Sequence, residues 1–183
     1  MVREKIRIQK NRRKNRMAKV LLVVDMQEIC VGEKHAKVFQ YEEDLIKKVN
    51  EVIDLNKNNI VIYIRNVMKK NLINKFAPFQ AYEGSKEIEL VKGLHVVSDI
   101  CFDKYEGDAF SNKKLVKFCE ENQVTEIEVI GVDGGGCVPL SALGACKLGY
   151  KVIVNTNAIG TMFTGKQKKF YERLERLGAE IIK

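Results

Sequence analysis

The sequence is poor in the residues that build metal and disulfide proteins. Its only histidines, His35 and His95, stand far apart, one in a polar loop and one ahead of an apolar run. Isolated histidines of this kind do not make a ligand set, so no metal is expected. The five cysteines, Cys30, Cys101, Cys119, Cys137 and Cys146, are an odd number without a CxxC pair. Most lie in apolar segments, as reduced thiols do, which argues against a disulfide framework. No stretch resembles the apolar centre of a signal peptide, and none approaches the roughly 18 apolar residues of a spanning helix. A cytoplasmic location without a membrane partner is therefore expected. Internal repeats, a GxGxxG fingerprint and the Lys-Ser/Thr ending of a P-loop are also missing.

Charge of one sign is scarce in the body of the chain. The formal net charge is +8, but residues 1–16 hold eight lysines and arginines against Glu4 alone. The remaining residues, 17–183, are nearly neutral, so the excess does not point to a nucleic-acid partner. Residues 1–16 read as a basic, disordered N-terminal extension. It is a nucleic-acid arm, a solvated tail, or the product of an upstream start, because Met17-Ala-Lys leads straight into the first strand. At 183 residues the chain suits one domain, here 17–183, with a single core.

What is present is alternation. Continuous apolar runs at 19–25, 59–65, 126–132 and 151–154, with further strands at 96–104 and 179–182, have the pattern of parallel strands buried on both faces. Between them, helices are expected over 42–56, where Leu45, Val49, Val52 and Ile53 share a face, and briefly over 85–91. Others should start at a Ser111 cap, run over 137–148, and start at a Thr164–Gln167 capping box. The fold class that follows is α/β: a three-layer sandwich with a six-stranded, mainly parallel sheet and helices on both faces.

The chemistry gathers in Glu128-Val-Ile-Gly-Val-Asp-Gly-Gly-Gly-Cys137-Val-Pro, where a strand enters a glycine-rich turn and then a helix. A helix N-terminus offers unpaired N–H groups and a partial positive charge, so a thiol there should lean toward thiolate. Pro139 falls in the first turn, where its missing N–H costs nothing. Three consecutive glycines predict a turn with much backbone freedom. Asp25, Lys104 and Cys137 each end a strand, and in an open parallel sheet those ends form the ligand crevice.

These segments resemble the isochorismatase-like cysteine hydrolases, the superfamily that includes nicotinamidases. Val23-Val-Asp25-Met-Gln27 is similar to their first-strand motif. Lys104-Tyr-Glu-Gly-Asp-Ala-Phe110 is similar to their lysine segment, and Gly131-Val-Asp-Gly-Gly-Gly-Cys137-Val to their nucleophile segment. The resemblance implies Asp25 as general base, Lys104 as the stabilising cation and Cys137 as nucleophile. It also implies a cis peptide between Val132 and Asp133 that aims the Asp133 and Cys137 N–H groups at an oxyanion, and a homo-oligomer. Gln27 and Phe110 are candidate substrate-pocket residues, together with the irregular segment 66–84. Nicotinamidases hold a metal through an Asp-x-His pair and a second His after the second strand. This chain reads Arg65-Asn-Val-Met-Lys-Lys-Asn there, so no metal or cofactor is expected.

The expected activity is metal-independent hydrolysis of a small amide or related C–N compound through a thioester. Two alternatives remain open at this stage. One is a degenerate or thiol redox-sensing member of the same fold; the other is a nucleotide-binding module, since glycine-rich turns also cradle phosphate.

Overall fold

The computed structural model describes residues 18–33, 37–70, 74–76 and 79–183. The basic extension at 1–16 and His35 lie outside the described residues. Six strands form one sheet: β1 (Ala18–Val24), β2 (Ile60–Asn66), β3 (Cys101–Lys104), β4 (Val124–Val132), β5 (Lys151–Gly160) and β6 (Glu180–Ile182). Their order is β3-β2-β1-β4-β5-β6, and every neighbouring pair is parallel.

Two layers of helices cover the sheet because its central strands are apolar on both faces. From β1, Leu21 and Val23 pack with Val49, Val52 and Ile53 of α2 (Leu45–Asn56). The alternate residues Val20, Leu22 and Val24 face the opposite layer, which holds α3 (Lys113–Glu121), α4 (Cys137–Lys147) and α5 (Thr164–Arg176). A single turn, α1 (Glu28–Val31), follows β1. Among the described residues no helix is long and apolar enough to cross a membrane.

Several local expectations are corrected. Helix α3 is capped by Asn112, whose side chain accepts the Lys114 N–H; Ser111 belongs to a preceding 3-10 turn capped by Asp108. Thr164 is the first residue of α5 rather than its cap, and Gln167 donates to the Thr161 hydroxyl instead of reaching back to the backbone. Residues 85–91 hold only a 3-10 turn over Lys86–Ile88, and β3 is paired only from Cys101. Strand β5 runs to Gly160 because it resumes pairing with β4 after a register shift between Val129 and Gly131.

The chain builds β1 to β3 outward in one direction and β4 to β6 outward in the other. The order therefore reverses between β1 and β4, and a crevice opens at their carboxyl ends. These two strands approach closely there. Gly131 has φ +112° and a Cβ on it would run into the Val24 carbonyl. Gly131→Ala should destabilise the fold by about 2–4 kcal/mol, read as a lowered urea midpoint with an unchanged slope.

Candidate active site

Asp25 follows β1 directly, Lys104 ends β3, and Cys137 opens α4 after the turn that leaves β4. The structure brings all three together. The Lys104 Nζ lies 2.9 Å from Asp25 Oδ2 and 3.2 Å from Cys137 Sγ. Lys104 is 1 % and Asp25 4 % exposed.

Strand β2 lies between β3 and β1, so Lys104 must reach across about two interstrand spacings, roughly 9–10 Å, to meet Asp25. Its long stem passes over the end of β2, where Asn66 stands. The Asn66 Oδ1 lies 3.4 Å from Nζ, giving the ammonium a third acceptor. The sequence marks this position as one without a metal ligand and as the start of the candidate pocket segment 66–84; its place at the end of the strand between the two partners follows from the strand order.

Burial penalises a charge on Lys104, yet the carboxylate of Asp25 and the sulfur of Cys137 outweigh it and raise the pKa, so the ammonium stays charged. The Cys137 thiol behaves in the opposite way from the expectation for a helix N-terminus. Burial, and then the neighbouring Asp25 carboxylate, push its pKa up to about 12 against the opposing pull of Lys104. At neutral pH the Cys137 thiol therefore keeps its proton. Asp25 Oδ1 is buried and unpartnered, which leaves a carboxylate oxygen in this centre without a competing donor.

The turn before Cys137 is tightly held despite its three glycines. The Val132–Asp133 peptide is cis. The Asp133 carboxylate accepts the N–H groups of Gly135 and Met162, each at 2.6 Å, and its carbonyl accepts those of Gly136 at 2.9 Å and Val138 at 3.2 Å. Gly134 donates to the Gly160 carbonyl at 2.9 Å. Side chains have no room at Gly134 and Gly135, which press on Thr161 and on the Phe163 backbone. The Asp133 charge is thus spent on the β5–α5 connection. As the first residue of α4, Cys137 has an N–H with no intrahelical acceptor, a donor beside its own sulfur.

Gln27 and Phe110 are both buried among protein partners. The Gln27 amide is wholly buried; Oε1 accepts the Asn66 N–H at 2.7 Å, and Nε2 donates to the carbonyls of Asn66 and Ile88. It clamps the end of β2. The Phe110 ring packs 6.0 Å from Tyr150 within the core of the α3–α4 layer. Tyr41 was not foreseen: its ring lies against Gly160 at the end of β5, and burial, followed by the nearby Asp133 carboxylate, raises its pKa. Nothing in its local sequence distinguishes it.

Two spaces open near this centre. A cleft of about 1040 Å³ runs between α1 and the start of α2, past Cys30 and Tyr41, and a cavity of about 340 Å³ adjoins Asn66. At the end of β2 the Arg65 guanidinium is paired with Asp103, and among the described residues no three His, Cys, Asp or Glu side chains gather to hold a metal ion.

The sequence model of the isochorismatase domain matches residues 19–183. The chain belongs to the isochorismatase domain family. Solved structures agree in fold. The nicotinamidase/pyrazinamidase of Bacillus subtilis superposes with a TM-score of 0.80 at 16 % identity, covering 91 % of this chain and 100 % of that one. The zinc-bound pyrazinamidase of Pyrococcus horikoshii gives 0.77 at 23 % identity, covering 90 % and 98 %. The N-carbamoylsarcosine amidase of Thermoplasma acidophilum gives 0.74 at 18 % identity, covering 91 % and 96 %. No curated protein matches the chain by sequence. The polar centre of this chain lies at the strand ends around the order reversal.

The raised thiol pKa has a direct readout. Alkylation of Cys137 by iodoacetamide should climb about tenfold per pH unit from pH 7 to 10, with no plateau near the ordinary cysteine range. Mass spectrometry of the Cys137 peptide measures it against exposed Cys101, and levelling near pH 8.5 would contradict the assignment.

Proposed function

We propose that this protein hydrolyses a small amide, or a related C–N compound, through a covalent thioester on Cys137, without a metal. The family is one of hydrolases, and all three similar structures described above bear amidase names. The observation that carries the finer reading is the contact of one buried ammonium with both a carboxylate and a thiol.

The neutral thiol requires a base at the moment of attack, and Asp25 is adjacent. As an amide carbonyl approaches, Asp25 takes the Sγ proton and the sulfur attacks carbon. Lys104 holds the developing thiolate, and the carbonyl oxygen takes the negative charge under the N–H donors of the Cys137 turn. Collapse of the tetrahedral adduct breaks the C–N bond, and the proton on Asp25 leaves with the amine or ammonia. A water then gives a proton to the same carboxylate and attacks the thioester, and the returning proton restores the thiol as the acid departs.

Two other readings fit less well. A redox-sensing cysteine works as an accessible thiolate, and Cys137 is a half-buried thiol whose pKa is raised. A phosphate cradle needs free N–H groups, whereas those of Gly134, Gly135 and Gly136 are all engaged within the turn and its neighbour.

The test is ammonia release from a panel of small primary amides and ureido compounds. Wild type should turn over at least one member; Cys137→Ala should abolish turnover, and Asp25→Asn should lower kcat by about 100- to 10,000-fold. An acyl adduct on Cys137, trapped at low pH and found by mass, would be its signature. Unchanged turnover in Cys137→Ala would remove the thioester scheme.

A further inference from the structure

The cavity of about 340 Å³ is lined by Asn66, Met68, Lys69, Asn74, Phe79 and Tyr105, with Val67 in its floor. It touches the reacting centre through one residue: Asn66 faces the cavity, and its Oδ1 meets the Lys104 ammonium. Tyr105 follows Lys104 in the chain. The floor is braced, since Val67 donates to the Lys104 carbonyl at 2.8 Å and Met68 to the Ala81 carbonyl at 2.7 Å. The size is at the low end for small-molecule sites.

Its charge is one-sided. Lys69 is the single ionised side chain among these lining residues, and its ammonium sits 5.5 Å from the centre of the Tyr105 ring. Among the described residues no carboxylate is within ion-pair distance of Lys69. The Asn74 amide donates to the Lys69 carbonyl at 2.8 Å. The larger cleft differs: Glu28, Glu33, Glu42, Glu43, Glu87 and Glu89 line it against Lys86 and Lys92, and it does not include Asn66. An anionic group is repelled by that cleft and attracted to the cavity.

We propose that the cavity beside Asn66 is the subsite for the part of the substrate beyond the scissile bond, and that it selects amides carrying a carboxylate, which Lys69 binds above Tyr105. This rests on the hydrolase reading above and adds a substrate class to it. Because Lys69 is exposed, its ion pair is worth a moderate factor.

Succinamate and glutaramate, each with a primary amide and a carboxylate, are compared with their methyl esters. Wild type should favour one of the acids by about fivefold or more in kcat/KM. The preference should shrink in 1 M salt. Lys69→Gln should raise KM for the acid without changing kcat, leave the ester unaffected and so erase the preference, and Lys69→Glu should favour the ester. Binding of the same acids to Cys137→Ala, measured by calorimetry with and without Lys69→Gln, provides a readout that needs no turnover. Turnover with no preference for the acids overturns the subsite and leaves the hydrolase reading standing. Lys69-dependent binding of an acid with no turnover in wild type upholds the subsite and removes the hydrolase reading. Neither binding nor preference overturns the subsite.

Discussion

Everything at the crevice depends on one buried ammonium. Lys104 is 1 % exposed, and the desolvation of its charge is offset only by Asp25, Cys137 and Asn66. Loss of one partner from such a buried pair typically costs about 3–5 kcal/mol, because the other charge is left uncompensated. The same arrangement explains why a lysine is needed: Asp25 lies two strands from β3, and only a long cation bridges that span. The strand order and the side chain are a matched pair.

The charge balance also sets the resting state of the sulfur. Lys104 lies 2.9 Å from Asp25 and 3.2 Å from Cys137, yet the half-buried thiol keeps its proton because burial and the Asp25 carboxylate outweigh the pull of the ammonium. A thiol held neutral is slow to be alkylated or oxidised. In the proposed scheme its activation belongs to the approach of a substrate, when Asp25 receives the proton.

Asp133 and Gln27 serve this centre without entering it. Asp133 uses its carboxylate and carbonyl to pin a turn of three glycines against β5 and the start of α5, so the freedom of glycine is removed by its neighbours. Gln27 performs the same service for Asn66. Both were visible as residues of motifs, but their side-chain partners are set by the fold: the Asp133 carboxylate reaches the Met162 N–H, and Gln27 reaches the backbone of Asn66 and Ile88.

The alternating apolar runs by themselves determined a parallel α/β sheet, and the strand-ending positions of Asp25, Lys104 and Cys137 singled out the centre, because burial on both faces and the switch from strand to helix leave a periodic trace in the chain. Caps were less legible: Asn112 rather than Ser111, and no capping box at Thr164, since neighbouring polar residues compete for the same few N–H groups. Only the tertiary structure decided that the thiol is neutral, that Asn66 completes the ammonium's shell, and that Phe110 belongs to the core while Tyr41 borders the crevice. The physical reason is that burial and electrostatic coupling are sums over neighbours contributed by different strands and loops, and no local stretch of sequence contains those sums.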